Sequence, residues 1–188
     1  MIERIIRDIR FYELRPENYN GTFDGTFGHV YKNTPDTKYI GQRIARKLNE
    51  LNFVSGIFDH VYVYLSPTLP DDKMKIQETE FDVRLMSVQY GITPSVFNSL
   101  SEIEKEKWVE ETIFKVLYML FQSDSTKVKI ISEVETSIEK YKHAIKIFYK
   151  TKETNTYKID LNYQIKPNGN SSRILVSYFD KKVNVKRE

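Results

Sequence analysis

The chain contains no cysteine. Disulfide staples, thiol nucleophiles and cysteine-ligated zinc are thereby excluded. Histidine is scarce as well. The three, His29, His60 and His143, form neither a His-x-His nor a His-Glu-x-x-His pair, so no metal motif is written in the sequence. Seven glycines and six prolines in 188 residues are too few for a collagen-like or low-complexity chain. Long apolar runs are missing. The longest strongly apolar stretch is VLYMLF at 116–121, against the roughly 20 residues a membrane span needs. Charges at Glu3, Arg4, Arg7, Asp8 and Arg10 interrupt any apolar leader. The expectation is an intracellular, cytoplasmic protein without a membrane partner.

What is present suits a folded core. Hydrophobic residues make up 40% and aromatics 13%, too much for a disordered chain. The length fits one domain, 1–188. The formal net charge of +3 is unevenly spread. Residues 1–139 hold 17 basic and 22 acidic residues, a net of −5, and residues 140–188 hold 12 and 4, a net of +8. Such a split points to faces of opposite potential.

The pattern reads as α+β. Residues 7–15 alternate as a strand, and a short strand is expected at 27–33. Asp36 or Thr37 opens a helix whose apolar face is Ile40, Ile44, Leu48 and Leu51, with Arg43, Arg46 and Lys47 facing outward or sideways. IFDHVYVYLSP and TEFDVRLMSVQY read as two strands able to form a hairpin, with Phe58, His60, Tyr62 and Tyr64 on one face of the first. Ser101 and Glu104 make a capping box for a helix to about residue 122, and another helix covers 126–141. Three strands then form a C-terminal meander. In its middle strand Tyr157, Ile159, Leu161, Tyr163 and Ile165 alternate with polar residues, which predicts one buried and one wet face. The expected architecture is a mostly antiparallel sheet with that three-stranded meander, covered on one face by about three helices.

Few residues suggest chemistry. GTFDGTFGHVY, 21–31, sets three glycines in eight positions, but its spacing matches neither the Walker nor the dinucleotide loop. It reads as a bend or an aromatic recognition loop. No G-x-S-x-G elbow is present. An enzyme would have to scatter its site over Asp24, His29, Asp59 or His60. No catalytic residue, metal ligand or cofactor is assigned.

Two binding readings remain. In the first, Phe23, Asp24, Phe27, Asp71, Asp72, Glu78, Glu80, Asp82, Glu106 and Glu110 build an anionic, aromatic-edged surface for a protein partner. In the second, Lys146, Lys150, Lys158, Lys166 and Arg173 on the C-terminal sheet hold nucleic acid, although no RNP1-like string or KH loop accompanies them. The protein reading leads. In overall character, small, cysteine-free and without a catalytic signature, the chain resembles bacterial immunity and antitoxin proteins, which block a partner such as a toxin. That resemblance rests on no particular motif.

Overall fold

The computed structural model describes residues 3–14, 27–77, 82–166 and 170–187. Among them, strands β1 (Arg4–Ile5) and β2 (Asp8–Glu13) lead to helix α1 (Thr37–Glu50). Strands β3 (Val54–Gly56), β4 (His60–Ser66), β5 (Met74–Gln77) and β6 (Leu85–Gly91) follow. Next come helices α2 (Pro94–Ser99), α3 (Glu102–Phe121) and α4 (Ser125–Tyr141), then strands β7 (Ile147–Glu153), β8 (Tyr157–Gln164), β9 (Arg173–Asp180) and β10 (Val185–Arg187). The architecture is α+β with three sheets whose pairings are mostly antiparallel.

The central sheet is the exception. Its order is β2-β4-β6-β5, and both β2–β4 and β4–β6 are parallel. The hairpin expected between the two apolar strands does not form. The chain leaves β4, runs out to the edge strand β5, and returns as β6 between them. The short polar MKIQ segment of β5 carried no strand signal of its own. Phe58 precedes β4 and stacks on Phe121 in the core, so it does not share the face of Tyr62 and Tyr64. Residues 27–33 form bends and no strand.

Parallel neighbours require a crossover, and α1 supplies the one between β2 and β4. Asp36 caps it by accepting from the Tyr39 N–H. Ile40, Ile44 and Leu48 are fully buried against Ile9, Phe11, Val61, Val63 and Leu65 of the sheet. The helix lies so close to β2 that a Cβ on Gly41 would sit 2.0 Å from the Ile9 carbonyl oxygen. Only glycine fits there. Helix α3 starts at the predicted capping box, Ser101 with Glu104, and Asp124 caps α4. Helices α3 and α4 pack against α1 and complete the core through Val109, Ile113, Leu117, Ile131, Val134 and Ile138.

The C-terminal sheet has four strands, in the order β10-β9-β8-β7, rather than three. Its root joins the core through Ile145, Ile147, Tyr163 and Ile165. The Phe148 N–H donates to the Glu50 carboxylate, 2.8 Å away, at the end of α1. Beyond that root the sheet stands clear of the helices. No residue of β8 or β9 is buried, so the predicted division into buried and wet faces fails. The alternation is real, but the core ends before the apolar face is covered.

Gly41→Ala should cost about 3 kcal/mol or more, because a methyl group there must push the α1 and β2 backbones apart. Gly28→Ala should cost about 1–2 kcal/mol, since Gly28 has φ +115° but open space at its Cβ position. Paired thermal melts check both the order and the gap.

Candidate functional site

Three arrangements of charge and exposed surface stand out. The first answers the glycine-rich stretch. Of GTFDGTFGHVY, residues 21–26 lie outside the described residues, and with them Phe23 and Asp24. The end of the stretch cradles an anion, but that anion belongs to the chain. The Glu13 carboxylate is fully buried at the end of β2 and accepts from the His29, Val30 and Tyr31 N–H groups at 3.0, 3.2 and 3.1 Å. Successive amides turned inward form a nest for negative charge, and here it is filled internally. Asn98 clamps the same segment, accepting from the Lys32 N–H and donating to the Val30 carbonyl. Phe27 packs, partly buried, against the core.

The second is a buried polar network between α1 and α3. Arg43, expected to face outward or sideways, is fully buried. Its guanidinium pairs with Glu110 and donates to His143 Nδ1 at 2.9 Å. A guanidinium only donates, so Nδ1 accepts and the neutral imidazole carries its proton on Nε2. Nε2 faces Glu106 at 3.5 Å, and Tyr39 donates its hydroxyl to the same Glu106 carboxylate. Burial pushes the Glu110 carboxyl above its ordinary value, against the pull of Arg43 and Lys142. Burial and the Glu106 bond likewise push the Tyr39 phenol up. Each partner is held by another member of the set. Beside it opens a cavity of about 480 Å³ lined by Asp36, Tyr39, Glu102, Ile103 and Glu106.

Among the described residues, the remaining acidic candidates each have a partner within the chain. Asp71 accepts from the Thr93 N–H and hydroxyl, at 2.6 and 2.9 Å. Asp72 pairs with Lys115 at 2.7 Å and accepts from the Tyr90 hydroxyl. Both pin the β4–β5 loop to the body of the protein. Asp82 accepts from the Arg84 N–H. Glu78 and Glu80 lie outside the described residues. Glu106 and Glu110 belong to the network just described. The grouping 71, 72, 82, 106 and 110 therefore divides into local ties. Among the described residues no cluster of His, Asp and Glu is arranged to hold a metal ion.

The third arrangement is the C-terminal sheet, and it is the most exposed. Directly opposed residues in an antiparallel pair share a face. Cross-strand pairs Ile159–Tyr178, Leu161–Val176 and Tyr163–Ile174 therefore put six apolar side chains on one side. Val185 extends that face at one edge through its pairing with Asp180, opposite Tyr157. Tyr149, at the bulge in β7, leans on Tyr163 with ring centroids 4.9 Å apart. Ile174 is 66% exposed, Tyr149 58%, Val176 50% and Val185 40%. Cations sit at the edges, and Asp180, at the end of β9, shares the face. Lys150 and Lys152 oppose Leu161 and Ile159 on one side, and Arg187 opposes Tyr178 on the other.

The opposite face is mixed. A groove there is lined by Lys146, Phe148, Lys158, Asp160, Asn162, Ser177 and Lys186. Lys158 pairs with Asp160 at 3.3 Å. Arg173 opposes Gln164 on this face, while Lys150 lies on the apolar one. The basic set read from sequence is thus divided between two faces. Lys166, just past β8, donates its backbone N–H to Ser172. The projecting apolar face was missed because its alternation is the same as that of a strand lying on a core.

Comparison of the chain with protein-family models, curated proteins and solved structures finds no match. Among the described residues no helix is long and apolar enough to cross a membrane.

Arg43→Met should cost about 3–5 kcal/mol, since it strands the Glu110 carboxylate in the interior. Adding Glu110→Leu should recover most of that loss. The pH dependence follows from the raised carboxyl. The folded state holds the Glu110 proton more tightly than the unfolded state does. The stability that Glu110 contributes is therefore full below the ordinary glutamate value and is lost as pH rises through the folded one. Arg43→Met should steepen that fall, and Arg43→Met/Glu110→Leu should abolish it, as read from denaturant midpoints against pH.

Proposed function

We propose that this chain is a non-enzymatic protein-binding module that holds its partner on the apolar face of the C-terminal sheet. The observation that carries the reading is a contiguous apolar face, built from Ile159, Leu161, Tyr163, Ile174, Val176 and Tyr178, on a sheet anchored only at its root. Exposed apolar patches of this kind mark interaction sites. Aromatic and aliphatic anchors at the centre, with charge confined to the rim, is the anatomy of such interfaces.

The rim selects the partner. Lys150 and Lys152 at one edge and Arg187 at the other are cationic. A second copy laid face to face would set cations against cations wherever the edges meet. The fitting surface is an apolar strip bordered by carboxylates on a different protein, with the cations steering the encounter. Occupying such a strip is how an inhibitor of the immunity or antitoxin kind would block a partner. The buried charges support a binding role over catalysis, because Glu13, Arg43 and Glu110 are all engaged by the chain itself.

The test is capture from the native host followed by mapping. Val176→Arg and Lys150→Glu/Lys152→Glu should each lower affinity for a stoichiometric partner at least tenfold. Lys158→Glu/Lys166→Glu, on and beside the mixed face, should leave it unchanged. The reverse pattern, with salt-sensitive oligonucleotide binding lost in Lys158→Glu/Lys166→Glu, would replace this reading with the nucleic-acid one.

A further inference from the structure

At the end of the central sheet where β2, β4 and β6 begin, three arginines converge on one carboxylate. Asp59 is 1% exposed. Arg84 meets it with two donors, Nε to Oδ1 at 3.2 Å and a terminal nitrogen to Oδ2 at 3.1 Å. His60 Nδ1 lies 2.6 Å from Oδ1. That set already satisfies the carboxylate. Yet Arg7 Nε also lies 3.4 Å from Oδ2, and an Arg4 terminal nitrogen lies 3.6 Å from it. Among the described residues, Asp59 is the one carboxylate within ion-pair distance of Arg4 or Arg7. Asp82 accepts from the Arg84 N–H and adds a weak electrostatic pull on its guanidinium, while Asp8 pairs with Arg10.

Burial alone would raise the Asp59 carboxyl, but Arg84 and His60 bring it below its ordinary value, so it stays ionised. Three guanidiniums around one buried carboxylate leave a net positive surplus, offset only weakly by Asp82 on Arg84, and the arginines repel one another. A fold that needed only to neutralise Asp59 would stop at Arg84. Arg4, Arg7 and Arg84 keep 25%, 63% and 40% of their side chains exposed. The carboxylate lies beneath them, so a solute meets the guanidiniums first. The frame is rigid at the backbone. The Arg7 N–H donates to the Asp59 carbonyl at 2.7 Å, and the Asp59 and His60 N–H groups donate to the Arg84 carbonyl at 2.9 and 3.0 Å. Ser55 Oγ holds the Arg4 carbonyl at 2.9 Å.

We propose that Arg4, Arg7 and Arg84, oriented from below by Asp59, form a binding site for a phosphate dianion, either free or as a monoester. Guanidiniums present paired donors matched to phosphate oxygens. A dianion balances the surplus charge that the carboxylate leaves. The site is separate from the C-terminal sheet and independent of its proposed role.

Calorimetric titration of the full chain tests it, at about pH 7.5, where phosphate and its esters are mostly dianionic, with chloride balancing ionic strength. Inorganic phosphate and phenyl phosphate are run as separate arms. At least one should bind one-to-one with a Kd at or below roughly 1 mM. The tighter arm tells whether the free ion or the ester is the natural form. Arg4→Gln/Arg7→Gln should weaken binding at least tenfold, and Lys158→Gln should not change it. Circular dichroism establishes that each variant is folded. If the double variant unfolds, the highly exposed Arg7→Gln alone should still lose several-fold. No saturation by roughly 10 mM in either arm, or full binding in a folded arginine variant, overturns the proposal.

Discussion

The seating of α1 on β2 is the constraint from which the rest of the arrangement follows. Gly41 brings the helix backbone against the Ile9 carbonyl, closer than any side chain allows. That approach buries Ile40, Ile44 and Leu48 on one side of the helix. It also carries Arg43 into the interior, where Glu110 pairs with its charge, His143 accepts a further N–H and the Tyr39 ring lies under it. The end of the same helix sets Glu50 to receive the Phe148 amide and so locates the root of the C-terminal sheet. A wider helix–sheet spacing would loosen the α3 contact and the sheet root together, because both are reached through α1.

Charge and apolarity are distributed unusually in this molecule. Several charges are inside, each answered by the chain: Glu13 by three amides, Glu110 by Arg43, Asp59 by Arg84, and Lys105 by the Lys32 carbonyl. Much apolar surface is outside, on a sheet that the core does not reach. Burying charge is costly unless it is paired, so the internal sets are structural investments. Leaving Ile174 and Val176 in water gains nothing for the isolated fold, which is the physical case for a partner. The Asp59 cluster departs from the internal pattern, since it has more guanidiniums than its carboxylate can use.

The candidate surfaces were only partly legible in the sequence. The basic character of the C-terminal third was visible, but its division between two faces was set by register, through pairs such as Lys150 with Leu161. The acidic residues looked like one patch because they are dense in sequence, whereas Asp71 and Asp72 turned out to fasten a loop and Glu110 to lie under α1. Arg4, Arg7, Asp59 and Arg84 meet only where the starts of β2, β4 and β6 lie beside the β1–β3 pair, so no local spacing announced them. The glycine-rich stretch ends in amides that hold an anion, but that anion is Glu13, 16 or more residues earlier, which no loop motif encodes.

Local physics determined much of the secondary structure from sequence alone. The Ser101–Glu104 box, the Asp36 cap, the stripes of α1 and α3, and the alternation of β8 are interactions between residues a few positions apart, and each formed where the pattern required. The α+β class followed from the order of those elements. Tertiary structure decided what depends on long-range partners: the parallel pairing of β4 with β6, the burial of Arg43, and the exposure of the apolar β8–β9 face. Periodicity reports which side of an element is apolar, but only packing decides whether anything stands against that side.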